Sequence, residues 1–484
     1  MAALLIDETY LRTGSPKRAI LEATSRMRGS YAFGILFADR PDTVYAIRRA
    51  APLIVGLGED ENFIASDITA ILSYTRRYIA LGEDELAELT PERVHITDRD
   101  GVTVERTPQT ALWEKSQAQK GGYPHFMKKE IAEEPQGVRS TLSPRVRDGL
   151  PDFTEEGLSL ERLAGVRQLT VVACGTALHA GLLGADFART LCRLPARCEI
   201  ASEFRYADPI LGPEDAVLLI SQSGETADTL AALRLAKERG AYTVALINAV
   251  GSSIAREADT VLYTWAGPEI AVASTKAYTV QTSLLLLLMT RLGVARGTLT
   301  EEDARRITHQ AMEDLPEAIA AILAREEEIA TAAGQFARDA EHLFFIGRNV
   351  DYDCVTEASL KLKEISYIHS EAYAGGELKH GTISLIEEGT PVLALSTERA
   401  LAEKLLGNVK EVASRGARVF AVVTAEDTLF ERVSERVFRL PEMPDSIAPI
   451  AAATVFQLFA YHAAVMRGCP VDQPRNLAKS VTVE

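Results

Sequence analysis

Ala216-Val217-Leu218-Leu219-Ile220-Ser221-Gln222-Ser223-Gly224-Glu225-Thr226 runs from five consecutive apolar residues into a hydroxyl-rich loop. An unbroken apolar pentad bounded by turn residues reads as a strand buried on both faces, as in a parallel sheet. A helical pattern over 228–239 follows directly. The loop therefore sits where such a sheet places its ligands, at a strand C-end facing a helix N-terminus. Three hydroxyls, a glycine and free helix N–H groups make a neutral cradle suited to a phosphate, and the helix dipole favours the anion. No Gly-Lys-Ser/Thr follows, so a nucleoside triphosphate is not implied. The competing reading is a plain Ser/Thr-capped helix start. One cap needs one hydroxyl, and here there are three in six positions.

The strand belongs to an internal repeat. Strand Leu169–Ala173 ends at Cys174-Gly175, and strand Leu343–Ile346 ends at Gly347, 172 residues further on. Ala216–Ile220 ends at Ser221, and Pro391–Leu395 ends at Ser396, 175 residues further on. Tyr242–Ile247 matches Arg418–Val423, each after a Gly-Ala dipeptide, and each copy closes on a long apolar helix, Ala277–Leu292 and Ala451–Met466. Strands alternating with helices predict two tandem α/β domains with parallel sheets. In the second copy the loop is Ser396-Thr397-Glu398-Arg399, with no glycine, so one phosphate site is expected rather than two. Ahead of the repeats, Ser15-Pro16 opens a helix. The short runs Tyr31–Phe37, Thr43–Ile47, Leu53–Gly56 and Asn62–Ala65 then read as an antiparallel sheet. The expected organisation is an α+β segment over 1–112, a linker over 113–122, α/β domains over 123–298 and 299–466, and a tail over 467–484.

Composition narrows the function. The 484 residues carry 52 Lys plus Arg against 68 Asp plus Glu, a formal net charge of −16. That acidic balance, with no basic block, argues against nucleic acid or an anionic membrane as partner. Five cysteines, odd in number and never in a CxxC pair, suit a reducing compartment better than a disulfide framework. The longest apolar run, Leu284–Met289, is far short of the ~20 residues a membrane span needs, so a cytoplasmic protein is expected. The eight histidines include no HExxH or His-x-His, and no metal site is expected.

Five further stretches carry candidate chemistry. Gly175-Thr176-Ala177 leaves the first strand, and Val272-Ala273-Ser274-Thr275-Lys276 precedes a helix. Both are ordinary capping sequences alone, but with the Ser221 loop they converge on one crevice. Glu357, Lys361 and Glu364, spaced i, i+4, i+7, share one helix face. A solvated ion-pair face is the plain reading, and proton transfer requires another segment to cover it. His380, in the glycine-flanked loop Gly375-Gly376-Glu377-Leu378-Lys379-His380-Gly381, is placed for acid–base work. Lys479 lies in the tail Asp472–Ser480, where chain ends are usually frayed. If buried, it is a candidate Schiff-base lysine.

Together SQSGET (221–226), ASTK (273–276), KLKEISY (361–367), GELKHG (376–381) and the terminal DQPRNLAKSVTVE closely resemble the glutamine–fructose-6-phosphate aminotransferase family. The resemblance runs from about Arg28 to Glu484, with the motifs in family order. It implies two tandem SIS-type, flavodoxin-like parallel-sheet domains preceded by a truncated N-terminal-nucleophile glutaminase segment of α+β type. Thr176, Ser221, Gln222, Ser223, Thr226, Val272, Ser274 and Ala478 would bind fructose 6-phosphate. His380, supplied by a neighbouring subunit, would assist ring opening, which implies a homodimer. Lys479 would form an imine at C2, to be displaced by ammonia, and Glu364 would move a proton from C1 to C2 with Lys361 beside it. No metal or organic cofactor is implied.

Ala177 stands where the family often has Ser, and Thr382 where Pro is common. A larger departure is at the start: Met1 is followed by Ala2, and the first cysteine is Cys174. The family's N-terminal Cys nucleophile and its Arg-Trp-Ala-Thr-His and His-Asn-Gly motifs are missing from the sequence as written, so glutamine hydrolysis is not expected of it. A fragment or a late start codon is the expected cause. The alternatives are an ammonia-dependent phosphosugar isomerase or deaminase, and a phosphosugar-binding regulator without catalysis.

Overall fold

The computed structural model describes residues 1–111 and 119–482. Positions 113–118 of the linker expected at 113–122, and the last two residues of the tail, lie outside the described residues. The chain groups into two compact units, one formed by 1–121 with 225–227 and the end of the chain from 480, the other by 122–224 with 228–479.

The first unit opens on a helix, Ala2–Thr13, which the sequence reading missed, and a second, Pro16–Ser25, with Pro16 in its first turn. Its two four-stranded antiparallel sheets follow. In one, Tyr31–Phe37, Arg40–Arg49, Leu86–Leu89 and Val94–Thr97 are neighbours in that order. In the other, Asn62–Ala65, Ile54–Leu57, Arg77–Ala80 and Gln109–Thr110 are neighbours. The antiparallel reading is correct, and the structure resolves it into two sheets.

The second unit carries the repeat. Its first half contains β1 (Gln168–Ala173), α1 (Gly175–Cys192), β2 (Ala196–Ile200), β3 (Asp215–Ser221), α2 (Ala227–Glu238), β4 (Tyr242–Ile247), β5 (Thr260–Tyr263) and α3 (Lys276–Ala295). The second half repeats this with β6 (His342–Gly347), α4 (Val350–Ser366), β7 (His369–Ala374), β8 (Pro391–Ser396), α5 (Ala402–Ala413), β9 (Arg418–Val423), β10 (Arg436–Arg439) and α6 (Ala448–Met466). Both sheets are parallel throughout, ordered β2-β1-β3-β4-β5 and β7-β6-β8-β9-β10. This is the doubly wound, flavodoxin-like order, whose switch point falls between the first and third strands.

Every residue of β3 and β4 is buried, which is why they read as continuous apolar runs. α3 and α6 have the length and hydropathy of membrane spans, contrary to the impression left by the short Leu284–Met289 run. In this fold 89% and 83% of their apolar windows are buried in the core. A helix apolar on all sides belongs in a core, and these two anchor the cluster that joins both repeats. α1 packs on α3, α4 packs on α6, and α1 packs on α4 across the repeats. That last contact brings the first turns of α1 against α4.

Candidate active site

Parallel pairing sets Val172 of β1 opposite Leu219 of β3, so the strands end side by side, at Cys174-Gly175 and at Ser221. At the Ser221 loop the Gly224 N–H donates to Ser221 Oγ at 3.0 Å, and the Ile254 N–H donates to the Gly224 carbonyl at 3.0 Å. Gly224 has φ +66°, and a Cβ there would lie 2.0 Å from Ser252 Oγ, so only glycine fits. The Gln222 carbonyl accepts from the Asn248 and Ala249 N–H groups at 3.2 and 3.3 Å, which ties the loop to the end of β4. Ser223 is half-buried, and Thr226 directly precedes α2.

The equivalent loop after β8 is filled from within. Asp351 of α4 accepts the Thr397 N–H at 2.8 Å, the Glu398 N–H at 3.4 Å and the Thr397 hydroxyl. Burial raises Asp351 to about 7, against the stabilising hydrogen bonds from Thr397. The two loops thus differ in chemistry as well as in sequence.

The Glu357–Lys361–Glu364 face is not solvated. Glu357 and Lys361 are each 1% exposed, because α1 covers them. The Thr176 hydroxyl donates to Glu357 Oε1 at 3.0 Å and accepts from Lys361 Nζ at 2.8 Å. His179 Nδ1 lies 2.7 Å from Glu357 Oε2. Lys361 Nζ also donates to Glu364 Oε2 at 2.6 Å and lies 3.4 Å from Glu357 Oε1. Burial disfavours the Lys361 charge, but Glu357 and Glu364 outweigh it, and its pKa ends above the ordinary lysine value. Glu364 is the open end of this chain of groups, its side chain 21% exposed. A carboxylate with one oxygen paired and an accessible side can take up and return a proton.

The tail is anchored rather than frayed. Asp472 accepts the N–H groups of Phe126 and Met127, both at 3.0 Å, at the start of the helix Phe126–Ala132. The Asp472 carbonyl takes the Val272 N–H at 3.0 Å. Arg475 lies over the Tyr367 ring at 4.2 Å. Lys479 Nζ then reaches Glu269 Oε2 at 2.6 Å and the Ala271 carbonyl at 2.8 Å, with Ser274 Oγ at 3.5 Å. Ser274 Oγ itself donates to Glu269 Oε2 at 2.8 Å. The neighbouring Ala478 is exposed and Val272 is half-buried.

The structure therefore gathers Thr176, Lys361 and Glu364 into one cluster, and Ser274 and Lys479 into another. Glu269 acts electrostatically on Lys361, so the clusters share one field. His380 is not part of either: it ends a short 3-10 turn, Leu378–His380, and is exposed. Glu269 and His179 escaped the sequence reading, and Glu357 appeared there only as part of a face. Glu269 had one signal, a lone carboxylate between Pro268 and the apolar stretch Ile270–Ala273. Its significance depends on Lys479 arriving from 210 residues away.

Residues 162–291 and 337–467 match the SIS domain family. The glutamine–fructose-6-phosphate aminotransferase (isomerizing) of Clostridium acetobutylicum is 46% identical over 481 residues, 99% of this chain and 78% of that protein. The enzyme of the same name from Symbiobacterium thermophilum is 48% identical over 97% of this chain and 77% of that protein. The chain belongs to the glutamine–fructose-6-phosphate aminotransferase family. Among solved structures, the C-terminal domain of glucosamine-fructose-6-phosphate aminotransferase from Francisella tularensis superposes with a TM-score of 0.70 at 36% identity. It covers 74% of this chain and all of that domain. For this member of the aminotransferase family, the similarity thus extends over nearly the whole sequence, and the structural match accounts for most of it.

Proposed function

We propose that the chain converts fructose 6-phosphate to glucosamine 6-phosphate by amination and ketose–aldose isomerisation. The observation that carries this is Lys479, drawn from the tail onto Glu269 and Ser274, with the Glu269 charge also acting on Lys361 of the Lys361–Glu364 pair. In this reading the Ser221–Thr226 loop holds the phosphate, and Thr176, Val272, Ser274 and Ala478 line the sugar. Lys479 forms an imine with the C2 carbonyl, and ammonia displaces the lysine. Glu364 then takes a proton from C1 and returns one to C2, which leaves an aldehyde at C1 and an amine at C2. The C1 proton is acidified by the adjacent imine, so positioned side chains suffice for its transfer. Lys361, itself held by Thr176 and Glu357, keeps Glu364 in place. His380 of a neighbouring subunit assists ring opening, which makes the working form a homodimer. Five free thiols suit a reducing compartment such as the cytoplasm.

The test supplies fructose 6-phosphate with ammonium chloride, so that its outcome does not depend on glutamine hydrolysis. Glucosamine 6-phosphate, followed by NMR, is the expected product. Binding of the sugar phosphate with no conversion would instead support a regulator.

A further inference from the structure

Lys479 sits close to the chain end, yet its amine has a built receptor. Glu269 is fully buried and takes four donors: Thr275 N–H at 2.9 Å, Ala277 N–H at 3.1 Å, Ser274 Oγ at 2.8 Å and Lys479 Nζ at 2.6 Å. Two of these are N–H groups at the start of α3, which fix the carboxylate on a rigid helix. The loop behind it is braced as well. Glu130, on the helix Phe126–Ala132, accepts the Ile270 and Ala271 N–H groups at 2.5 and 3.2 Å, and Ala271 offers its carbonyl to Lys479. Burial acts to raise Glu269, but Lys479 and the backbone donors outweigh it and hold it at about 2.

We propose that Glu269 is the positioning residue of Lys479, holding the amine in one direction until the sugar arrives. The inference rests on the reading of Lys479 as the imine-forming lysine. The step it governs is balanced: the Lys479 ammonium and the C2 ketone give a protonated imine and water. The new bond is Nζ–C2, and the ketone oxygen leaves with two of the ammonium protons. Attack requires the amine in line with the carbonyl carbon, and a carboxylate hydrogen-bonded to the nitrogen fixes that line. Glu130, Glu134 on the next helix and Lys361 on α4 also feel the Glu269 charge, and Lys276 on α3 acts on Glu130. None of them is altered in the variants below.

The test is borohydride trapping of the Lys479–fructose 6-phosphate adduct, read by peptide mass, on the full chain, with the sugar's Kd measured beside it. Glu269→Gln removes the charge and keeps the shape, and its trapping rate at saturating sugar is expected to fall by about tenfold or more while the Kd stays. Glu269→Asp withdraws the carboxylate by one methylene and is expected to slow trapping by about tenfold or more, again at unchanged Kd. Wild-type trapping in Glu269→Gln, or a loss of sugar binding that accounts for slower trapping, would mean a merely structural carboxylate and would overturn the proposal. Should Glu269→Gln fail to fold, wild-type trapping by Glu269→Asp overturns it instead. An adduct persisting in Lys479→Ala would sink the assignment of Lys479 itself, a separate failure from that of Glu269.

Discussion

Thr176 shows how one hydroxyl serves two charged neighbours. It donates to Glu357 and accepts from Lys361, so Thr176→Val leaves two buried charges each short of a partner. Losing a buried hydrogen-bond partner costs about 1–3 kcal/mol. The expected result is a lower melting temperature in calorimetry together with reduced turnover. At Glu364 the expectation is different, since the residue is partly exposed and its loss leaves no buried void. Glu364→Gln should still form the Lys479 adduct. Its exchange of the C1 proton with deuterated solvent should fall by about 10²-fold or more, because a general base has been removed. Normal exchange in that variant would assign the proton transfer to another group. Removing the amine in Lys479→Ala should abolish both the adduct and glucosamine 6-phosphate formation, and turnover with ammonium would show that the imine is dispensable.

At the scale of elements, the Ser221 loop depends on one backbone conformation. Gly224→Ala adds a strained positive φ and a clash with Ser252. Strain of this type costs about 1–3 kcal/mol. Calorimetry should register that loss, and isothermal titration should show weakened fructose 6-phosphate binding; unchanged binding would separate the phosphate from this loop. The same scale explains what was readable. β1, β3 and β4 and their counterparts β6, β8 and β9 are buried on both faces, and continuous apolar runs announce them. The edge strands β2, β5, β7 and β10 carry sequences such as Ala-Arg-Cys-Glu-Ile and Arg-Val-Phe-Arg, partly exposed, and no run marks them. Half a strand's pattern belongs to solvent at a sheet edge, and the periodic signal is lost there.

For the whole molecule, buried acids tie stability to pH. Burial raises Glu134, Asp351 and Asp353 to about 7, so the folded chain binds protons that the unfolded chain releases near pH 4 to 4.5. Their contribution is complete below the unfolded value and is lost as pH rises through about 7. Glu269 runs the opposite way: held at about 2, it stabilises above pH 4.5, and that contribution is lost as pH falls towards 2. The melting temperature is therefore expected to be higher at pH 6 than at pH 8.5. Glu134→Gln should flatten that slope, and a melting temperature rising from pH 6 to 8.5 would contradict the assignment.

The sequence by itself determined the two parallel α/β repeats, their central strands and the hydroxyl-rich loop at the third strand of the first. Each of these is encoded within a few adjacent residues by burial on two faces or by turn chemistry. The motif order also carried the family. Only the tertiary structure decided that the Glu357–Lys361 face is dry, because Thr176 of α1 comes from 181 residues before Glu357 to cover it. It alone decided that Asp351 fills the second loop and that Glu269 receives Lys479. Charge on a side chain is visible in sequence, but its dielectric surroundings and partner are set by segments that meet only when the chain folds.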